Sequence, residues 1–163
     1  PFSDATLAEM GLLLGADVPF FLFDRPAIAR GVGEQLVPYE KLKDYTIILV
    51  CPGFSVSTAW VYKYLYLRLT KCEKKLRKFL LGRPVFEVKE HLCNALESVT
   101  TGKHPEILQI QQKLMALKAE GALMSGSGPA VFGIFKEPGR AASAYDALAS
   151  EGVWQIFITT TLS

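Results

Sequence analysis

Asp17 is the lone carboxylate of the stretch Leu14-Gly15-Ala16-Asp17-Val18-Pro19-Phe20-Phe21. An ionised carboxylate among apolar residues is costly unless a cation or a hydrogen-bond donor faces it. Gly15 and Ala16 leave its approach open. Pro19 removes a backbone donor and fixes the chain entering the run Phe20–Phe23. A positioned, reachable, partly desolvated carboxylate is what a general base for a hydroxyl requires. The same residues also suit a plain helix end, with Gly15 closing the helix and Asp17 capping the turn.

A second segment carries different chemistry: Gly121-Ala122-Leu123-Met124-Ser125-Gly126-Ser127-Gly128-Pro129-Ala130-Val131-Phe132-Gly133-Ile134-Phe135. Two short apolar runs that read as strands flank a loop of Ser125, Gly126, Ser127 and Gly128. Glycines there permit positive φ and close backbone approach, and successive amides can form an anion-binding nest. The loop lacks the third glycine of a dinucleotide fingerprint and the Gly-Lys-Ser/Thr of a P-loop. Arg30-Gly31-Val32-Gly33 shares the spacing and is excluded on the same grounds. Alone, the 125–129 loop reads equally as a glycine-rich hairpin turn. A third segment, Pro52-Gly53-Phe54-Ser55-Val56-Ser57-Thr58-Ala59-Trp60-Val61-Tyr62, leaves a strand and enters a helix, where loops commonly bind ligands. Its hydroxyls at 55, 57 and 58 can cap that helix, the commoner use, or hold a phosphate at its positive end.

Taken in order, "LGADVPFFL", "ARGVGEQL", "PGFSVSTAWVY" and "ALMSGSGPAVFGIF" resemble the 4-diphosphocytidyl-2-C-methyl-D-erythritol kinase family of the galactokinase–homoserine kinase–mevalonate kinase–phosphomevalonate kinase superfamily. The "SGSGP" loop is shared across the superfamily, whereas "GADVPFF" and "PGFSVST" narrow the match. The resemblance runs from about Ser3 to the C-terminus and covers the later half or more of the family's enzyme. The family's upstream Gly/Ser-rich ATP loop, and the lysine beside its aspartate, have no counterpart here. The resemblance implies ATP-dependent phosphorylation, with Mg²⁺, of a sugar-alcohol hydroxyl on a cytidine diphosphate conjugate, a step of non-mevalonate isoprenoid synthesis. It implies Asp17 as the catalytic base and Thr58 beside the substrate. It implies Tyr62 stacked on the cytosine, and Ser125, Gly126, Ser127 and Gly128 bordering the phosphates or bracing the ATP loop. Position 59 is alanine where relatives can carry proline. The main ATP-binding elements, and a partner for this chain, are expected in the family's N-terminal half.

These groups need elements to position them. Ser3 and Asp4 open an amphipathic helix through Leu14. Phe20–Phe23 and Ile28–Val37 read as strands paired across Asp24-Arg25-Pro26. Tyr45–Cys51 is nearly all apolar, as in a buried central strand. Helices are predicted over Thr58–Leu69, Cys72–Leu81, Glu87–Ser98 and Pro105–Glu120, the last with Ile107, Ile110, Leu114 and Leu117 on one face. Two strands flank the 125–129 loop, Arg140–Ser150 reads as a helix and Trp154–Thr161 as a closing strand. From Tyr45 onward the order is βαββαβ with extra helices in the first crossover, an α+β ferredoxin-like two-layer sandwich. Residues 1–40 then form an end piece of the N-terminal catalytic domain, carrying the aspartate, and 41–163 the C-terminal kinase domain.

Composition narrows the classes further. With 50% hydrophobic and 21% charged residues the chain can bury a core. A net charge of +2 gives no reason to expect nucleic acid as a partner. Lys63, Arg68, Lys71, Lys74, Lys75, Arg77 and Lys78 make a basic run, but interleaved leucines read as amphipathic helices with solvated faces. No apolar run approaches the roughly 18 residues of a membrane span. No metal site is expected, since His91 and His104 lie apart without a ligand pattern and read as surface or helix-terminal residues. Cys51, Cys72 and Cys93 form no CxxC pair and fit reduced, cytoplasmic thiols better than a disulfide framework. An upstream targeting segment stays compatible with this sequence. Two other readings compete. A homoserine- or mevalonate-type kinase would keep Asp17 and the loop without needing Tyr62. A non-catalytic ferredoxin-like binding module would give no reason for a poised Asp17.

Overall fold

The computed structural model describes residues 2–31, 33–65, 72 and 85–162. They fall into two compact units, Pro1–Asp44 with Leu162–Ser163, and Tyr45–Thr161.

In the smaller unit, α1 (Asp4–Leu14) begins where the Ser3 hydroxyl accepts a hydrogen bond from the Thr6 amide at 3.2 Å. It ends at Gly15, whose amide donates to the Gly11 carbonyl at 3.1 Å. A Cβ on Gly11 would sit 3.1 Å from both Leu22 and Val18, so the missing side chain lets α1 close on α2 (Val18–Phe23). The run Phe20–Phe23 is therefore helical, not a strand. Proline in the first helical turn is pre-organised for a helix start, and buried Pro19 occupies that turn here. The predicted strand Ile28–Val37 is instead a hairpin of β1 (Ala27–Arg30) and β2 (Gln35–Pro38), antiparallel with Arg30 opposite Gln35. Gly31 at φ +70° and Gly33 at φ +117° take up the turn, backbone that disfavours any side chain.

The larger unit runs β3 (Thr46–Cys51), α3 (Thr58–Lys63), α4 (Val88–His91), α5 (Glu97–Lys103), α6 (Glu106–Ala116), β4 (Gly121–Met124), β5 (Val131–Phe135), α7 (Pro138–Ser150) and β6 (Gln155–Thr160). Its sheet has the order β4-β5-β3-β6 with every pairing antiparallel. This is the predicted ferredoxin-like arrangement, with Tyr45–Cys51 central. Burial alternates along β3: Ile48 and Val50 face the core with Met124, Val131 and Phe135 from the neighbouring strands. Ile107, Ile110 and Leu114 of α6, and Ala141, Ala144 and Leu148 of α7, close that core from the helical layer. Each large apolar side chain buried there contributes about 1.5–3 kcal/mol. A Cβ on Gly133 would come within 2.9 Å of Leu114, so this glycine sets how closely α6 seats on β5.

Four further expectations change. The helix predicted over Thr58–Leu69 stops at Lys63, with Tyr64 as its cap. Residues 66–69 of that prediction, and that over Cys72–Leu81 apart from Cys72, lie outside the described residues, as does most of the basic run. The single helix Glu87–Ser98 is two short ones, broken where the Asn94 side chain accepts the Leu96 amide at 2.9 Å. The helix predicted over Pro105–Glu120 is α6, and it gives way to β4 at Gly121. Cys72 and Cys93 are joined as a disulfide with Cα atoms 5.6 Å apart, leaving Cys51 free, which corrects the expectation of three reduced thiols. The bend between α4 and α5 brings Cys93 to buried Cys72, a proximity that spacing alone does not reveal. Among the described residues no helix is long and apolar enough to cross a membrane.

Candidate functional site

The chain leaving β3 is tied down residue by residue. Phe54 stacks face to face on His104 at the C-terminal end of α5, with ring centroids 4.6 Å apart. Ser57 caps α3 by accepting the Trp60 amide at 3.3 Å. With that cap filled, the next hydroxyl is free for another task. Thr58 Oγ1 lies 2.8 Å from Ser127 Oγ, so two segments sixty-nine residues apart meet through their hydroxyls. Tyr62, one turn further along α3, is 60% exposed and presents its ring to solvent. Lys103 lies over the Trp60 ring, 4.7 Å from its centroid, and leaves a cation beside the same helix.

The 125–129 loop has the backbone the sequence required. Gly126 takes φ +54° and Gly128 φ +89°, and the Gly128–Pro129 peptide is cis. Inside the loop the Ser125 amide donates to Ala130 O at 2.8 Å and the Gly128 amide to Ser125 O at 2.9 Å. Among the described residues, the Gly126 and Ser127 amides donate to no protein acceptor. Nothing lies within 4 Å of a Cβ built on Gly126, so one side of the loop is open. Free, neighbouring amides on an open glycine turn can donate to an anion's oxygens.

Gly128 is constrained differently. A Cβ there would meet Met124 Sδ at 2.8 Å and Thr100 Cγ2 at 3.3 Å, in addition to the left-handed φ. Left-handed strain costs about 1–3 kcal/mol, and overpacking a further 1–3 or so. Gly128→Val is therefore expected to lower unfolding stability by about 2–6 kcal/mol in urea titration. An unchanged midpoint would return the loop to the status of an ordinary hairpin turn.

Asp17 belongs to the smaller unit. It sits at the start of α2 with helical backbone angles, and its side chain makes no capping bond. The helix-capping alternative for the carboxylate therefore fails, although its carbonyl accepts the Phe20 amide at 3.2 Å. The carboxylate is exposed rather than desolvated, because the neighbouring Leu13, Leu14, Phe20 and Phe21 are themselves exposed and do not wall it in. Gly33, excluded above as part of a nucleotide fingerprint, stands beside it. A Cβ on Gly33 would lie 3.3 Å from Ala16 O and 3.7 Å from Asp17 Oδ1. The hairpin turn thus packs against the aspartate's own turn, and its two-glycine spacing was the signal that could have found it. His91 caps its own helix, its Nδ1 accepting the Glu87 amide at 2.8 Å. His104 is helix-terminal as expected, though its stacking on Phe54 was not legible.

Comparison with known proteins places the chain among kinases. Residues 80–153 match the family model described as GHMP kinases C terminal. The chain is 46% identical over 155 residues to a 4-diphosphocytidyl-2-C-methyl-D-erythritol kinase of Syntrophotalea carbinolica, covering 95% of this chain and 55% of that protein. A crystal structure of 4-(cytidine 5'-diphospho)-2C-methyl-D-erythritol kinase superposes with a TM-score of 0.74 at 33% identity, over 96% of this chain and 57% of that one. Homoserine kinase from Cytophaga hutchinsonii shares the fold, with a TM-score of 0.66 at 15% identity over 90% of this chain and 51% of that one. The chain spans about half the length of the curated relatives it matches. The resemblance carried by the motifs stands, and residues 80–153, within the unit Tyr45–Thr161, carry the likeness to a GHMP kinase C-terminal domain.

Proposed function

We propose that this chain forms part of a small-molecule kinase that transfers the γ-phosphoryl group of ATP to a hydroxyl of 4-diphosphocytidyl-2-C-methyl-D-erythritol. The observation that carries the reading is the Thr58–Ser127 contact, which joins the segment expected at the substrate to the loop expected at the phosphates. Asp17 takes the proton of the hydroxyl as its oxygen bonds to phosphorus and ADP departs. Thr58 hydrogen-bonds the substrate, Tyr62 stacks on its cytosine ring, and the Gly126 and Ser127 amides donate to phosphate oxygens. Phosphoryl transfer depends mostly on positioning and charge stabilisation. Among the described residues no group of three His, Cys, Asp or Glu side chains could hold a metal ion, so no step is assigned to Mg²⁺ through this chain. The apolar surface of α1 and α2 suits contact with the remaining half of the relatives' length, where the chief ATP-binding elements would lie. Leu13 is 88% and Phe21 76% exposed on that surface.

Tyr62 tests the substrate class. Stacking of a base on an aromatic ring is worth about 1–3 kcal/mol, so Tyr62→Ala should weaken the cytidine conjugate by about 5- to 150-fold. ATP affinity should hold within a few-fold in titration calorimetry. Equal losses for both ligands would contradict the assignment and point to general destabilisation.

A further inference from the structure

The Ser125–Pro129 loop is held from outside by a segment to which the proposed reaction assigns no role. Asn94, in the bend between α4 and α5, donates through Nδ2 to two carbonyls at once, Met124 O at 2.9 Å and Gly126 O at 2.7 Å. Its Oδ1 accepts the Leu96 amide, which fixes the orientation of the side-chain amide. On the first turn of α5, Glu97 Oε2 accepts the Met124 amide at 3.0 Å and is steadied by Gln111 Nε2 at 2.5 Å. One turn later, fully buried Thr100 donates through Oγ1 to Ser127 O at 3.1 Å. Three side chains three residues apart thus grip the backbone of Met124, Gly126 and Ser127.

The grip has a directional consequence. In a trans peptide the carbonyl of one residue and the amide of the next point opposite ways. Holding Gly126 O on Asn94 therefore turns the Ser127 N–H away from Asn94, and this is one of the two loop amides without a protein acceptor. Holding Ser127 O on Thr100 likewise turns the Gly128 N–H inward, where it meets Ser125 O. The bracket decides which amides are used up inside the loop and which are offered to a ligand.

We propose that Asn94 is a positioning residue for phosphate binding: by holding the Gly126 carbonyl it aims the Ser127 amide at a phosphate oxygen of the bound nucleotide or substrate. Glu97 and Thr100 complete the bracket. The phosphate contact rests on the kinase reading above, whereas the orientation of the loop does not.

The test uses the complete protein with two readouts, hydrogen exchange of the hydrogen-bonded Ser125 and Gly128 amides and steady-state kinetics with ATP and the cytidine conjugate. Asn94→Asp keeps the acceptor for Leu96 but places a carboxylate against two carbonyls. Loop exchange should rise by about tenfold or more while β5 stays protected. The kcat should fall by about 10²-fold, as expected for misplaced contacts, with KM rising for whichever of ATP or the conjugate supplies that phosphate oxygen and holding within about threefold for the other. Should Asn94→Asp unfold β5 as well, Thr100→Val decides. It removes only the donor to Ser127 O and should loosen the same amides, and Thr100→Ser should restore them. Unchanged loop exchange in a folded Asn94→Asp protein would overturn the bracket, as would a kcat that follows thermal stability rather than loop exchange. A parent protein that phosphorylates no cytidine conjugate while Asn94→Asp still loosens the loop would overturn the kinase reading and leave the bracket standing.

Discussion

Asp17→Asn in the complete protein is expected to lower kcat by about 10²–10⁴-fold, the usual share of a general base. The swap is nearly isosteric. The parent side chain is exposed and makes no capping bond, so little structure depends on its charge. Unfolding stability should stay within about 0.5 kcal/mol of the parent, as for surface substitutions away from such features. The comparison of turnover with urea midpoint separates chemistry from folding. Turnover within a few-fold of the parent would remove Asp17 from the role of base.

The second large effect concerns this chain by itself. Assayed alone with ATP, Mg²⁺ and the cytidine conjugate, it should give no turnover above background. Mixing it with a separately produced N-terminal half of a full-length relative should restore activity. The expectation follows from the chain's covering 55% of the Syntrophotalea carbinolica kinase, with the chief ATP-binding elements expected in the other part. The α1–α2 unit, with Leu13, Leu14 and Phe21 open to water, should exchange its amides faster than the Tyr45–Thr161 unit with its buried core. Robust turnover from this chain alone would show that the nucleotide is bound by residues other than those expected upstream.

Much of the larger unit was legible because its signals are periodic. The Ile107, Ile110 and Leu114 stripe became the buried face of α6, and the apolar run before Pro52 became the central strand. The failures are local and have physical causes. Phe20–Phe23 is short and wholly apolar, a pattern that does not separate strand from helix. Proline near the start of the run was the available signal for the helix. The break at residues 92–96 depends on the Asn94 side chain folding back on the Leu96 amide, a turn device of asparagine that a leucine-bearing helical pattern obscured. The Cys72–Cys93 pairing arises from tertiary proximity. At the candidate site, the residue types of Thr58, Ser127 and the two glycines were readable. Their contact, and the bracket from Asn94 to Thr100, were not, because each joins segments far apart in the chain.

The central claim meets its most direct test in the product of the complete protein. Phosphorus NMR of a reaction with ATP and 4-diphosphocytidyl-2-C-methyl-D-erythritol should show a new phosphomonoester on the methylerythritol moiety. The cytidine diphosphate linkage should stay intact, ADP should form in equal amount, and homoserine or mevalonate should yield no such signal. Absence of that phosphomonoester, or its appearance only with homoserine or mevalonate, would contradict the assignment.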